Sequence, residues 1–282
     1  MDKYHEYIFE IDKKSEERLI DYFIEKNFNS YYIENDIENS KNYLRIYFKE
    51  GFEDKEMLEF LSKFNGKLIS NIKIEEKQWL EQWIKSIKVF EFIEGVWVNP
   101  FEDKIVEKPG LVLNVIPGSA FGTGLHITTK LAAKFLKEID CEDKRVLDVG
   151  TGSGILSVLS KKLGAKYVCA LDYDPLAVEK AKETFKINNV DVDIRQSDLL
   201  SAIDENERFD ILVSNIVAEV LIDLMKDPKF NKILATKANV VFSGIIDSKE
   251  KVLLDQAKRN KLELKRRLED GSWVSLWFQK KI

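Results

Sequence analysis

The chain has 282 residues, 44% hydrophobic and 33% charged, with a formal net charge of −5. That size allows one large or two ordinary domains with real cores, and the acidic balance excludes a general basic surface for nucleic acid. No apolar run approaches the ~20 residues of a membrane span, and the charged N-terminus is unlike a signal peptide, so a cytoplasmic protein is expected.

Residues 1–75 form a self-contained pattern. Tyr4–Ile11 alternates like a strand, and Glu16–Lys26 carries Leu19, Ile20, Phe23 and Ile24 at helical spacing. Short strands follow at Ser30–Ile33 and Tyr43–Phe48, then a helix at Lys55–Phe64 and a strand at Leu68–Ile74. The order β-α-β-β-α-β predicts a ferredoxin-like α+β domain. It holds no catalytic constellation, and His5 reads as a surface residue, so the domain is expected to bind or position a partner. Residues 76–95 read as a connecting helix and linker. Trp79 and Trp83 share a helix face, for packing between domains or for contact with substrate.

Residues 96–282 then read as a second, α/β domain. Phe90–Val98 and Leu111–Ile116 are extended segments joined by a polar turn near Glu102–Pro109. The next stretch is Pro117-Gly-Ser-Ala-Phe-Gly-Thr-Gly-Leu-His-Ile-Thr-Thr129, with a helix beginning near Thr128. The Walker ending Gly-Lys-[Ser/Thr] is missing. This stretch is either an entry loop with a threonine cap or a lid over a ligand. In the second case Phe121 covers the ligand and Thr128 or Thr129 bonds its polar end. His126 is a candidate base or a capping residue.

The chain is organised around Arg145–Asp174. Val146, Leu147 and Val149 predict a strand buried on both faces, and Gly150, Gly152 and Gly154 a tight turn. Ile155–Leu163 predicts a helix and Tyr167–Leu171 a second strand ending in Asp172. That acid stands roughly 20 residues past the first glycine, where a βαβ nucleotide site places its ribose-binding carboxylate. The dinucleotide fingerprint G-x-G-x-x-G fails, because its third glycine position is Ile155. The pattern is D-x-G-x-G-x-G instead, which suits a cofactor without phosphate. Cys141 and Cys169 fall in or beside apolar segments and read as buried reduced thiols.

Alternation of strand and helix continues. Asp174 caps and Pro175 opens a helix to Ile187. Strands follow at Val192–Arg195, Phe209–Val213 and Val240–Ile245, then a helix at Ser248–Arg259. A hairpin, Leu262–Leu268 with Trp273–Gln279, turns at Asp270-Gly271. Asp198 either reaches a base amino group or caps its own loop. Asn215 ends a central strand, where an open α/β sheet gathers its ligand chemistry.

The glycine loop resembles the first motif of the class I S-adenosylmethionine-dependent methyltransferases. Five βα units closed by a hairpin match their seven-stranded, Rossmann-like sheet. Four motifs narrow the resemblance to the PrmA family. They are Phe-Gly-Thr-Gly-x-His-x-Thr-Thr, Asp-Val-Gly-Thr-Gly-Ser-Gly-Ile-Leu, Leu-Asp-Tyr-Asp-Pro and Ser-Asn-Ile-Val-Ala. Leu125 and Ile127 depart from its usual threonine and proline. The resemblance implies methylation of a large-subunit ribosomal protein, number eleven, on lysine side chains and the N-terminal amine; the alternative is a related methyltransferase acting on lysines of another protein or on a small molecule. It implies S-adenosylmethionine contacts at Thr129, Gly150, Asp172 and Asn215. Phe121, Gly152 and Asp198 join them as candidate contacts, with Asn215 and His126 as catalytic candidates. A monomer without metal, membrane or direct nucleic-acid partner is expected. The chemistry needs a neutral amine held ~3–3.5 Å from an activated methyl and aligned for in-line attack. Asn215 could orient that amine, and water could take its proton before binding.

Overall fold

A computed structural model describes residues 3–12, 18–19, 22–23, 31–36, 41–51, 54–63, 67–75, 89–101, 106–115 and 126–281. The chain divides into two compact units, Met1–Ser86 and Ile87–Ile282.

The first unit contains β1 (Lys3–Ile11), β2 (Tyr31–Asp36), β3 (Lys41–Lys49), α1 (Lys55–Lys63) and β4 (Lys67–Glu75). The sheet order is β2-β3-β1-β4, and every pairing is antiparallel. Alternate residues Phe9, Ile11, Leu44, Ile46 and Phe48 point to one face, where Met57 and Leu61 of α1 cover them. Asp54 starts α1 by accepting the Met57 amide at 3.0 Å. Of the helix expected at 16–26, the described residues 18–19 and 22–23 are helical, and Leu19 and Phe23 enter the same core.

The second unit opens with a small sheet of β5 (Phe90–Ile93), β6 (Val96–Asn99) and β7 (Leu111–Asn114), in that order. The single extended segment expected over 90–98 is instead a hairpin. Glu94 and Gly95 make its turn, and the Glu91 carboxylate accepts the Gly95 amide at 2.9 Å.

The large sheet holds β8 (Arg145–Val149), β9 (Tyr167–Asp172), β10 (Asp193–Gln196), β11 (Phe209–Asn215), β12 (Leu234–Ile246), β13 (Leu262–Asp270) and β14 (Trp273–Lys280). Its order is β10-β9-β8-β11-β12-β14-β13. The first five strands run parallel, and β14 returns antiparallel beside β12. The helices are α2 (Ile127–Glu138), α3 (Ile155–Lys162), α4 (Pro175–Ile187), α5 (Ala218–Lys226), α6 (Phe230–Ile233) and α7 (Asp247–Arg259).

Both faces of this sheet are covered, which explains its unbroken apolar strands. Val146, Ala170, Val213 and Val241 meet Phe135, Leu136, Leu159 and Phe185 on one face. Leu147, Leu171, Leu212 and Phe242 meet Leu221, Leu224, Phe230 and Leu253 on the other. Cys141 and Cys169 are buried free thiols, each pushed up to about 12 by burial. Strand order reverses between β8 and β11, so their carboxyl ends form the switch point where such sheets bind ligands. Gly150 and Asn215 stand there. Among the described residues, no helix is long and apolar enough to cross a membrane.

Candidate cofactor and methyl-transfer site

The glycine loop leaves β8 with φ values of +74° at Gly150, +54° at Gly152 and +82° at Gly154. At Gly150 a Cβ would also sit 2.5 Å from Ile216 Cγ2. Glycine there lets the loop lie against the end of β11.

Four of the loop's amides are already committed. Gly150 and Thr151 donate to the Leu171 carbonyl at 2.8 and 2.9 Å, and Gly154 donates to the Thr151 carbonyl at 2.9 Å. Gly152 donates to Asp172 Oδ2 at 2.8 Å. A dinucleotide site aims such amides at a pyrophosphate. Here those four face inward, and a carboxylate occupies one of them.

Beneath the loop lies Asp148, a residue to which sequence reasoning gave no role. Its Oδ2 accepts the hydroxyls of Thr151 at 2.7 Å and Ser157 at 2.6 Å. Its Oδ1 is buried without a hydrogen-bond partner among the described residues. Burial pushes this carboxyl up to about 6 against the pull of the two hydroxyls, and the nearby Asp172 charge adds to the rise. The acid of the D-x-G motif was visible in the sequence. Its hydroxyl partner on α3 carried no signal.

Asp172 is half-buried at the end of β9. Besides Gly152 it accepts the Asp174 amide at 3.0 Å through Oδ1. A carboxylate has about four lone-pair sites, so two remain for hydroxyl donors. Asp174 instead caps α4 by accepting the Leu176 amide at 2.9 Å, with Pro175 in the first turn. Asp198 is exposed just past β10. Its turn is capped by serines: Ser197 Oγ accepts the Ala202 amide, and Ser201 Oγ accepts the Asp198 amide. The Asp198 carboxylate takes no part in that capping.

Across the switch point, Asn215 Nδ2 donates to Thr129 Oγ1 at 3.1 Å, although the two lie 86 residues apart in the chain. With the amide nitrogen so engaged, Asn215 Oδ1 faces the other way, buried and without a partner among the described residues. Thr129 is buried in the first turn of α2. His126 is the N-cap of that helix: its Nδ1 accepts the Thr128 amide and lies 2.7 Å from Thr128 Oγ1. The His126 ring meets Trp273 edge-on at 5.0 Å. Burial pulls its pKa down to about 4, so it is neutral at physiological pH and a weak base. Phe121, Gly122, Gly124 and Leu125 lie outside the described residues, as do Trp79 and Trp83. Among the described residues, no cluster of His, Cys, Asp or Glu could hold a metal ion.

These groups fit a cationic nucleoside without phosphate. Two carboxylates, each with unused lone pairs, flank a loop whose four bonded amides offer no anion cradle. An orphan amide oxygen waits at the strand end. Together with a 3-2-1-4-5-7-6 sheet, the fit defines a class I S-adenosylmethionine-dependent methyltransferase.

The family model described as ribosomal protein L11 methyltransferase (PrmA) matches residues 8–281. The chain belongs to that family. Ribosomal protein L11 methyltransferase of Thermosipho africanus is 46% identical over 247 residues, covering 87% of this chain and 89% of that protein. The Thermotoga petrophila protein of the same name is 38% identical over 274 residues, covering 97% and 98%. The crystal structure of a ribosomal protein L11 methylase from Lactobacillus delbrueckii subsp. bulgaricus superposes with a TM-score of 0.63 at 31% identity, covering 70% of this chain and all of that one.

Proposed function

We propose that this enzyme methylates ribosomal protein L11 on lysine side chains and on its N-terminal amine, acting as a cytoplasmic monomer. The observation that carries the reading is the Thr129–Asn215 bond, which leaves the Asn215 amide oxygen aimed away from Thr129 at the switch point, without a partner among the described residues. The family match over nearly the whole chain supports the choice of substrate.

When bound, S-adenosylmethionine supplies a methyl group already activated on a sulfonium. Asp172 would hold the ribose hydroxyls with its spare lone pairs, and the backbone of Gly150 and Gly152 would pass beneath the methionine portion. Asp148 and Asp172 would offset the positive charge. Thr129 fixes the Asn215 amide, and Asn215 Oδ1 accepts an N–H of the incoming amine, turning its lone pair toward the methyl. The amine must arrive neutral, and water takes its proton beforehand. His126 holds the first turn of α2 rather than serving as base. Asp198 and Phe121 would border the cofactor. The first unit, whose sequence carries no catalytic motif, would grip the protein substrate.

The test is incubation with methyl-labelled cofactor and purified ribosomal protein L11, in parallel with ribosome-depleted lysate. The reading expects label on L11. Label confined to other proteins or to small molecules overturns the substrate assignment.

A further inference from the structure

The loop and its acid account for the cofactor, but they do not explain what holds Asn215. Its neighbour across the parallel ladder is Ser243 of β12. Here β12 breaks step with β14: Phe242 faces Leu276 and Ile245 faces Val274, so Ser243 and Gly244 together oppose Ser275. That is a β-bulge, a device that re-aims side chains beside active sites.

Each bulge residue lies beside one arm of the Thr129–Asn215 pair, Ser243 through the residue before Thr129 and Gly244 through the space next to Asn215 Oδ1. Ser243 is buried, and its hydroxyl donates to the Thr128 carbonyl at 2.7 Å, tying the start of α2 to the sheet. Thr129 is the next residue along that helix. Gly244 has φ +80°, and a Cβ on it would lie 2.6 Å from the Ile216 carbonyl oxygen and 3.2 Å from Asn215 Oδ1. The absence of a side chain therefore leaves room for both the turn after Asn215 and the orphan oxygen. Ser275 Oγ, donating to the Phe242 carbonyl at 3.0 Å, pins the bulge from the far side.

We infer that Ser243 and Gly244 are positioning residues for methyl transfer: their bulge fixes the Asn215 amide with Nδ2 on Thr129 and Oδ1 toward the reacting amine. This rests on the reading of Asn215 as the group that orients the amine. Neither residue touches substrate. Ser243 acts through the start of α2, and Gly244 acts through the space it leaves.

Two readouts test the inference on the intact chain. The first is the nitrogen–proton spectrum of side-chain amides, with the Asn215 pair assigned by its loss in Asn215→Ala. Ser243→Ala should shift that pair while leaving the melting temperature near that of the parent. The second is a double-mutant cycle on methyl transfer. Ser243→Ala should lower kcat about tenfold with KM for S-adenosylmethionine within about twofold, because a misplaced group costs rate more than binding. In an Asn215→Ala background it should cost nothing further, since both changes remove one device. Gly244→Ala should behave likewise if it folds. Unmoved Asn215 signals in Ser243→Ala, or losses that multiply in the double variant, overturn the inference alone. Full transfer by Asn215→Ala overturns it through the Asn215 reading.

Discussion

Replacing Asp172 by Asn should raise the dissociation constant for S-adenosylmethionine about 10- to 150-fold, equivalent to roughly 1.5–3 kcal/mol. The magnitude follows from what the carboxylate already holds. One oxygen accepts the Gly152 amide at 2.8 Å and the other the Asp174 amide at 3.0 Å. The two remaining lone-pair sites match the vicinal hydroxyl pair of a ribose. An amide has one acceptor oxygen, so the variant must turn its NH2 toward one backbone donor and lose at least one charge-assisted bond to the ribose. Titration calorimetry of the intact protein reads the affinity, and a thermal melt checks that the fold survives. An affinity within twofold of the parent, with the fold intact, would refute the ribose assignment. In that case Asp174, which accepts the single Leu176 amide as the cap of α4, would be the next carboxylate to test.

Three further outcomes are expected. Asp148 stays protonated to about pH 6 when folded and to about 3.8 when unfolded. It therefore costs stability as pH rises through that window, by about 3 kcal/mol in all. Urea melts should show Asp148→Asn gaining on the parent by up to that amount between pH 4 and 7, and a pH-independent difference would contradict the burial argument. His126→Ala should lose about 1 kcal/mol of stability by removing a helix cap, and His126→Asn should restore it. If the variant also loses a limb of the rate profile between pH 6 and 8, His126 is a base after all. A chain shortened to residues 87–282 should bind S-adenosylmethionine but methylate ribosomal protein L11 poorly, since the first unit supplies proximity. Undiminished transfer would make that unit a stability element.

The legible parts of this molecule are those whose signal is local in the chain. The glycine turn, Asp172 after the next strand, the Asp174-Pro175 cap and the Asp270-Gly271 hairpin each rest on a few adjacent residues, and all stand where expected. The Phe90–Val98 run hid its Glu94-Gly95 turn because apolar residues continue on both sides. Helix α5 went unread although Ala218, Leu221, Leu224 and Met225 are buried at helical spacing. Asp198 had been offered as a loop cap, a task that Ser197 and Ser201 perform. What sequence could not carry is the long-range geometry. The Asn215–Thr129 bond spans 86 positions and the Ser243–Thr128 bond 115. Only the folded sheet brings those residues together, and it is burial, with the nearby Asp172 charge, that separates the pKa of Asp148 from that of an ordinary aspartate.

The cofactor site we propose is bounded by Thr129, Gly150, Asp172 and Asn215. Its most direct test is a crystal structure of the protein with S-adenosylmethionine or its demethylated product. The prediction is a ribose whose two hydroxyls lie on the Asp172 carboxylate, a methionine portion over the Gly150–Gly152 backbone, and a sulfur facing the side on which Asn215 Oδ1 opens. A ribose held elsewhere, or a sulfur turned away from Asn215, would contradict it.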